Sequence, residues 1–256
     1  MKKAILLLVS LLICLPLLLT ACGNGPSETK QYNFKDFTGV QVGSSFDVSL
    51  TPSSSYNISI TAAQDRFNSI KVVDFGGILE VSMKLSFWDF WRNFSSKPKL
   101  EVSLPELDIL NLSGASTGTA TGFTSTNDFQ LTLSGASSAD IGIGAYDTSI
   151  AVTGGSNATG VLNIHDLALD ASGASNVVLS GTSNNLNLQV SGASGADLGN
   201  LQVNNATVKL SGASDGIVDA SGKLDTYASD ASNLSYVGNP TIGTIDVTGA
   251  SDVHQK

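Results

Sequence analysis

Four aspartates, two histidines and one aromatic cluster are the side chains of this sequence best equipped for chemistry. Asp140, Asp197, Asp215 and Asp252 fall just past a recurring Ser-Gly-Ala-Ser segment. Paired carboxylates serve glycosidases as acid, base and nucleophile, and a polysaccharide lyase would add Arg or Lys beside them. Between Asn111 and Gly249, however, only Lys209 and Lys223 are basic. Asn157, Asn176 and Asn233 replace Asp at comparable places, an exchange that turn residues tolerate because their short side chains bond the local backbone. Solvated turns are therefore the favoured reading of the four aspartates, with no catalytic residue among them. His165 and His254 stand 89 residues apart, with no Cys or Glu at metal-ligand spacing. The expectation is no metal and no cofactor. Composition leaves a Ser-His-Asp set open, since serine is abundant. No helix is predicted, though, so no Gly-x-Ser-x-Gly elbow stands at a strand-to-helix turn.

The aromatic cluster is Phe87-Trp88-Asp89-Phe90-Trp91-Arg92-Asn93-Phe94, which holds both tryptophans of the chain. Trp88, Trp91 and Arg92 are candidate ligand-binding residues, because sugar rings stack on aromatic faces and exposed aromatic patches are uncommon. The competing reading buries the two tryptophans as a lid. Cys22 is the other reactive group. It closes Leu19-Thr20-Ala21-Cys22, which resembles a bacterial lipobox, after a basic Met1-Lys2-Lys3 and an apolar run from Ala4 to Leu19. Residues 1–21 then read as a lipoprotein signal peptide and 22–30 as a lipidated tether. The partner implied is a membrane, reached through lipid on Cys22 and facing outside the cytoplasm; in a two-membrane cell it is the outer one. The signal would carry Cys14 away, leaving no pair for an internal disulfide. A net charge of −9 with no cluster of Lys and Arg in the repeats excludes a phosphate-tracking surface, so no nucleic-acid partner is expected.

What must position these groups is a repeat. Leu-x-Leu-Ser-Gly-Ala-Ser-like segments centre on Gly114, Gly135, Gly154, Gly173, Gly192, Gly212, Asp230 and Gly249, at intervals of 18 to 21 residues. Such a period marks a solenoid. Apolar residues four and two places before each centre, as in Leu131/Leu133 and Leu188/Val190, describe strands with one buried face. The centre itself reads as a corner at positive φ, which Gly adopts freely and Asp tolerates. About 19 residues leave no room for a crossover helix. Stacked at about 4.8 Å per coil, with the hand that parallel connections prefer, the units predict an all-β, right-handed parallel β-helix over residues 110–256. The serine two places past each centre, Ser116 to Ser251, forms a column. Turned inward it would bond corner backbone, the favoured reading; turned outward it would offer a polar face.

Residues 31–109 alternate as strands but carry no such period, and are expected to cap the solenoid. Here Phe37-Thr38-Gly39-Val40, Ser45-Phe46-Asp47-Val48-Ser49-Leu50, Leu100-Glu101-Val102-Ser103-Leu104-Pro105-Glu106-Leu107 and Leu112-Ser113-Gly114-Ala115-Ser116 resemble, in that order, the putative auto-transporter adhesin head GIN domain family. The resemblance runs from about Tyr32 to the end. It implies a bacterial envelope protein, often lipidated or secreted, with a β-helical domain, and it transfers no functional residue. The function expected is that of a lipid-anchored, non-catalytic surface module binding a glycan or protein. The alternative is a carbohydrate-active β-helix enzyme, a lyase or hydrolase.

Overall fold

A computed structural model describes residues 26–84 and 97–256. Cys22, Trp88, Trp91 and Arg92, together with residues 1–21, lie outside the described residues. The N-terminal strands are β1 (Ser27–Tyr32), β2 (Gly39–Val42), β3 (Asp47–Pro52), β4 (Asn57–Ala63), β5 (Ile70–Phe75), β6 (Ile78–Met83) and β7 (Lys99–Leu104). Shorter repeat strands follow as β8 (Ile109–Leu112), β9 (Thr117–Thr124) and β10 (Phe129–Leu133). Four long ones come next: β11 (Ser138–Val152), β12 (Asn157–Ala171), β13 (Asn176–Val190) and β14 (Gly195–Leu210). The chain closes with β15 (Asp215–Ala220), β16 (Lys223–Ala228), β17 (Asn233–Val237), β18 (Thr241–Val247) and β19 (Asp252–Gln255). No α-helix occurs among the described residues, and one 3-10 turn spans Gln64–Asn68.

The whole is a β-solenoid of about eight turns. From β11 to β14 one strand and one short corner make a full coil, and each strand lies parallel to its copy. Register then makes columns of the sequence pattern. Leu131, Ile150, Leu169, Leu188 and Val208 pair in succession, and all are essentially solvent-free. A second inner column holds Leu133, Val152, Ala171, Val190 and Leu210. Burial of each such aliphatic side chain is worth about 1.5–3 kcal/mol, so the core is a long narrow cylinder assembled one layer per coil. Thr226 continues the first column with its hydroxyl buried and unbonded.

All eight corner centres sit at positive φ, from 63° at Gly135 to 86° at Gly173, with Asp230 at 70°. Conformation is only half of the constraint. A Cβ on Gly192 would fall 2.6 Å from the Gly173 carbonyl oxygen, and one on Gly173 would fall 2.7 Å from that of Gly154. The corners are stacked so closely that backbone touches backbone. Asp230 fits because its carboxylate turns aside, accepting bonds from the Gly212 N–H at 3.3 Å and the Ser229 hydroxyl at 3.2 Å. The serine column faces inward: Ser116, Ser137, Ser156, Ser175, Ser194, Ser214 and Ser232 are all buried. The Ser175 hydroxyl donates to the Ser172 carbonyl at 2.7 Å, while the Ser175 N–H donates to Ser194 Oγ at 3.2 Å. Hydroxyls thus satisfy the backbone groups that each corner frees.

The N-terminal region differs from the expected division in two ways. Ser27–Lys30, assigned from sequence to a tether, belong to β1, which pairs antiparallel with β4. The stack also begins before residue 110. Strands β2 and β3 pair parallel with β8 and β9, and β6 and β7 pair parallel with β2 and β3 on their far side. The turn from β2 to β3 is a corner written Gly43-Ser44-Ser45-Phe46, with Ser44 and Ser45 at φ 71° and 62°. It lacks the Ser-Gly-Ala-Ser signature, which is why the period fails to reveal it. Phe46 takes the place of the column serine, and its N–H donates to Ser116 Oγ at 3.3 Å. Beyond this, β5 on β6 and β4 on β7 are antiparallel, so the parallel stack ends in strands of opposite sense. Phe37, Phe46 and Phe67 fill the core beneath them.

Candidate functional site

Between the inner columns the strand surface is not flat. Phe129, Thr148, Leu167 and Leu186 pair in register and point into the core. On one side of them runs the outward row Asp128, Asp147, Asp166, Asn185; on the other, Gln130, Ser149, Ala168, Asn187. The short side chains of Ser149 and Ala168 leave the surface concave there. The result is an open groove of about 740 Å³ that follows equivalent positions from Asp108 through successive coils to Thr207, with Lys209 at its end.

One wall of the groove is a polar ladder. The Asp147 N–H donates to Asp128 Oδ1 at 3.2 Å, and Asn185 donates to Asp166 Oδ1 through its N–H at 3.1 Å and through Nδ2 at 2.7 Å. Asn205 Nδ2 then donates to Asn185 Oδ1 at 3.0 Å. Carboxylates one coil apart repel; after Asp166 the column continues as Asn185 and Asn205, which adds no further charge. The neighbouring row reads Tyr146 then His165. Their rings stack with centroids 4.7 Å apart and planes 3° from parallel, and Tyr146 is 53% exposed. His165 Nδ1 lies 3.1 Å from Asp147 Oδ1 and 3.4 Å from Asp166 Oδ1.

The aspartates singled out from sequence are elsewhere. Asp140 and Asp197 share one row, with Thr159 and Val178 between them. Asp215 and Asp252 share another, separated by Asn233. None of the four lines the groove. One wall of the groove was legible as a period in a different column: Asp128, Asp147, Asp166 and Asn185 recur at intervals of 19, preceded by Asn127, Tyr146, His165 and Asn184, which stand beside the groove. Following only the glycine column hides that signal, because this one varies in side chain from coil to coil.

The other histidine has a Ser-His-Asp connectivity. Ser235 Oγ lies 3.1 Å from His254 Nε2, and His254 Nδ1 lies 2.9 Å from Asp252 Oδ2. These three sit on the open face of β17 and β19, with the Asp252 side chain 71% exposed. Water screens a carboxylate so placed, whereas nucleophilic catalysis relies on preorganised donors in a site that excludes water. The arrangement is accounted for as surface hydrogen bonding.

Comparison with known proteins agrees with the architecture. No curated protein matches the chain. A crystal structure of a "putative lipid binding protein" from Parabacteroides distasonis ATCC 8503 superposes with a TM-score of 0.79 at 19% identity, covering 91% of this chain and 98% of that one. A "putative adhesin" from the same organism gives 0.79 at 15% identity with the same coverage. Another from Parabacteroides merdae ATCC 43184 gives 0.73 at 16%, again over 91% and 98%. At these identities the likeness concerns the fold. The family described as "Putative auto-transporter adhesin, head GIN domain" matches residues 36–240, most of the length over which the solenoid and its groove are built, and the chain belongs to that family.

Proposed function

We propose that the protein is a non-catalytic, adhesin-like module that is held at the cell envelope by lipid on Cys22 and binds an extended glycan along its outer groove. The observation that carries the ligand class is the groove itself. It offers hydroxyl, amide and carboxylate groups on a rigid, periodic surface, with the exposed Tyr146 ring beside it. Sugars are bound through planar hydrogen-bonding groups together with aromatic faces on which a pyranose can stack. A chain of sugar residues also suits a site that repeats along one axis. Family membership supports the adhesin reading, and the dispersed aspartates do not favour a lyase or hydrolase. Trp88, Trp91 and Arg92, on the segment between β6 and β7, are candidates for a second contact with the same ligand.

The test is a glycan and matrix-protein array probed with the soluble domain from residue 26 onward. Saturable binding to one polysaccharide class, lost with Tyr146→Ala and retained with Asp252→Asn, supports the reading; binding only to proteins overturns the ligand class. Anchoring is checked separately. Mass spectrometry of the mature protein should find acyl chains on Cys22, and Cys22→Ser should release the protein from the detergent phase, since each buried methylene contributes about 0.8 kcal/mol to anchoring.

A further inference from the structure

We infer that Asp147, His165 and Asp166 form a site for a single divalent transition-metal ion of the Zn²⁺ class at the rim of the groove. Three potential donors converge there, one imidazole nitrogen and two carboxylates, with one ligand atom from each lying within 4.8 Å of the others. Zinc binds His nitrogen at about 2.0–2.1 Å and carboxylate oxygen at about 2.0–2.2 Å, and tetrahedral geometry then sets neighbouring donor atoms about 3.3–3.5 Å apart. His165 Nδ1 lies 3.4 Å from Asp166 Oδ1, at that tetrahedral edge, and 3.1 Å from Asp147 Oδ1, just inside it.

Groups outside the three hold two of them in place. Tyr146 stacks flat on the His165 ring, which fixes the plane in which Nδ1 points. Asn185 donates its N–H and its Nδ2 to one oxygen of Asp166, Oδ1, which pins the carboxylate and leaves Oδ2 clear of those two donors; outer support of this kind orients metal ligands and tunes their affinity. Register supplies the rest. Asp147 and Asp166 are direct partners across β11 and β12, so the solenoid's own spacing sets them side by side. The side chains are 37% to 47% exposed, which leaves coordination positions open toward solvent. Imidazole with carboxylate suits the transition metals, whereas Ca²⁺ prefers six to eight oxygens. The second histidine offers a weaker set, His254 with Asp252 alone.

The ion site does not depend on the glycan reading, and its test uses metal alone. Tag-free protein is titrated with Zn²⁺ by calorimetry and with Co²⁺ by visible absorption. The expected result is one equivalent per chain, a Co²⁺ d–d spectrum of a low-coordinate site, and a rise in Tm with Zn²⁺, since a ligand that binds only the folded state stabilises it. His165→Ala should abolish the spectrum and the Tm shift, and Asp166→Asn should weaken affinity at least tenfold. His254→Ala should leave both signals unchanged. Absence of saturable binding, binding that survives His165→Ala, or displacement of the ion by equimolar Ca²⁺ would each overturn the assignment. Circular dichroism of each variant confirms that it is folded before a loss is counted.

Discussion

The corner edge and the groove edge of this solenoid are read from the same repeat, yet they are built on opposite terms. At the corners the sequence hardly varies: small residue, glycine, small residue, buried serine. There backbone stacks on backbone, and at Gly173, Gly192, Gly212 and Gly249 an added Cβ meets the carbonyl of the neighbouring coil. In the row beside the groove the equivalent positions read Asn127, Tyr146, His165, Asn184 and Asn204. Their side chains leave the sheet and meet solvent or one another. The contrast separates what holds the stack together from what the stack displays. Internal repetition marks the former, and departure from repetition marks the latter.

The contrast can be broken or sharpened by substitution. The largest effect is expected from Gly192→Val, which puts a β-branched side chain at φ 77° and drives its Cβ toward the Gly173 carbonyl. Strained backbone and backbone overlap together should cost about 2–4 kcal/mol, read as a large fall in the denaturation midpoint. A wild-type midpoint would show that the corner column is slack. Ser116→Ala comes next. Its hydroxyl accepts from the Phe46 N–H at 3.3 Å and donates to the Ser113 carbonyl at 2.8 Å, and removing it leaves the buried Phe46 N–H without that acceptor, at about 1–3 kcal/mol.

A smaller change of opposite sign is expected for Thr226→Val. The Thr226 hydroxyl is buried without a partner in a column otherwise of Leu, Ile and Val, so replacement by a methyl of the same shape should stabilise by about 1 kcal/mol. Urea titration decides the sign. Smallest of all should be Tyr146→Ala. With the ring 53% exposed, stability should move by no more than about 0.5 kcal/mol, as for surface positions generally, while glycan binding is lost. A stability loss comparable to that of Gly192→Val would erase the distinction between the two edges.

How much of this was legible in the sequence follows from the same division. The coil period, the inner Leu and Val columns and the glycine corners are short-range patterns repeated many times, so each copy reinforces the others. The corner Gly43-Ser44-Ser45-Phe46 was not legible, because it reaches positive φ without glycine and breaks the signature that the eye follows. Nor was its place in the stack, since β2 and β3 insert between β6–β7 and β8–β9, against chain order. The groove was half legible. Asp147, His165 and Asp166 stand in a visible period, but only the register across β11 and β12 makes them neighbours. Asp140, Asp197, Asp215 and Asp252 drew attention by residue type alone, and type without register says little about what meets what.

The in-register stacking of identical corners also makes the length of the groove something heredity can adjust in whole steps. Excising the nineteen residues from Gly155 to Gly173 joins Gly154 to Ala174 and recreates a corner of the same sequence class found at Gly135 and Gly192. The core loses one layer, the two coils flanking the cut become parallel partners, and the outer surface shortens by one row, about 4.8 Å. Copying the same nineteen residues would lengthen it by the same amount. Unequal exchange between repeats is therefore a route by which descendants of such a gene can sample longer and shorter grooves without re-solving the problem of folding.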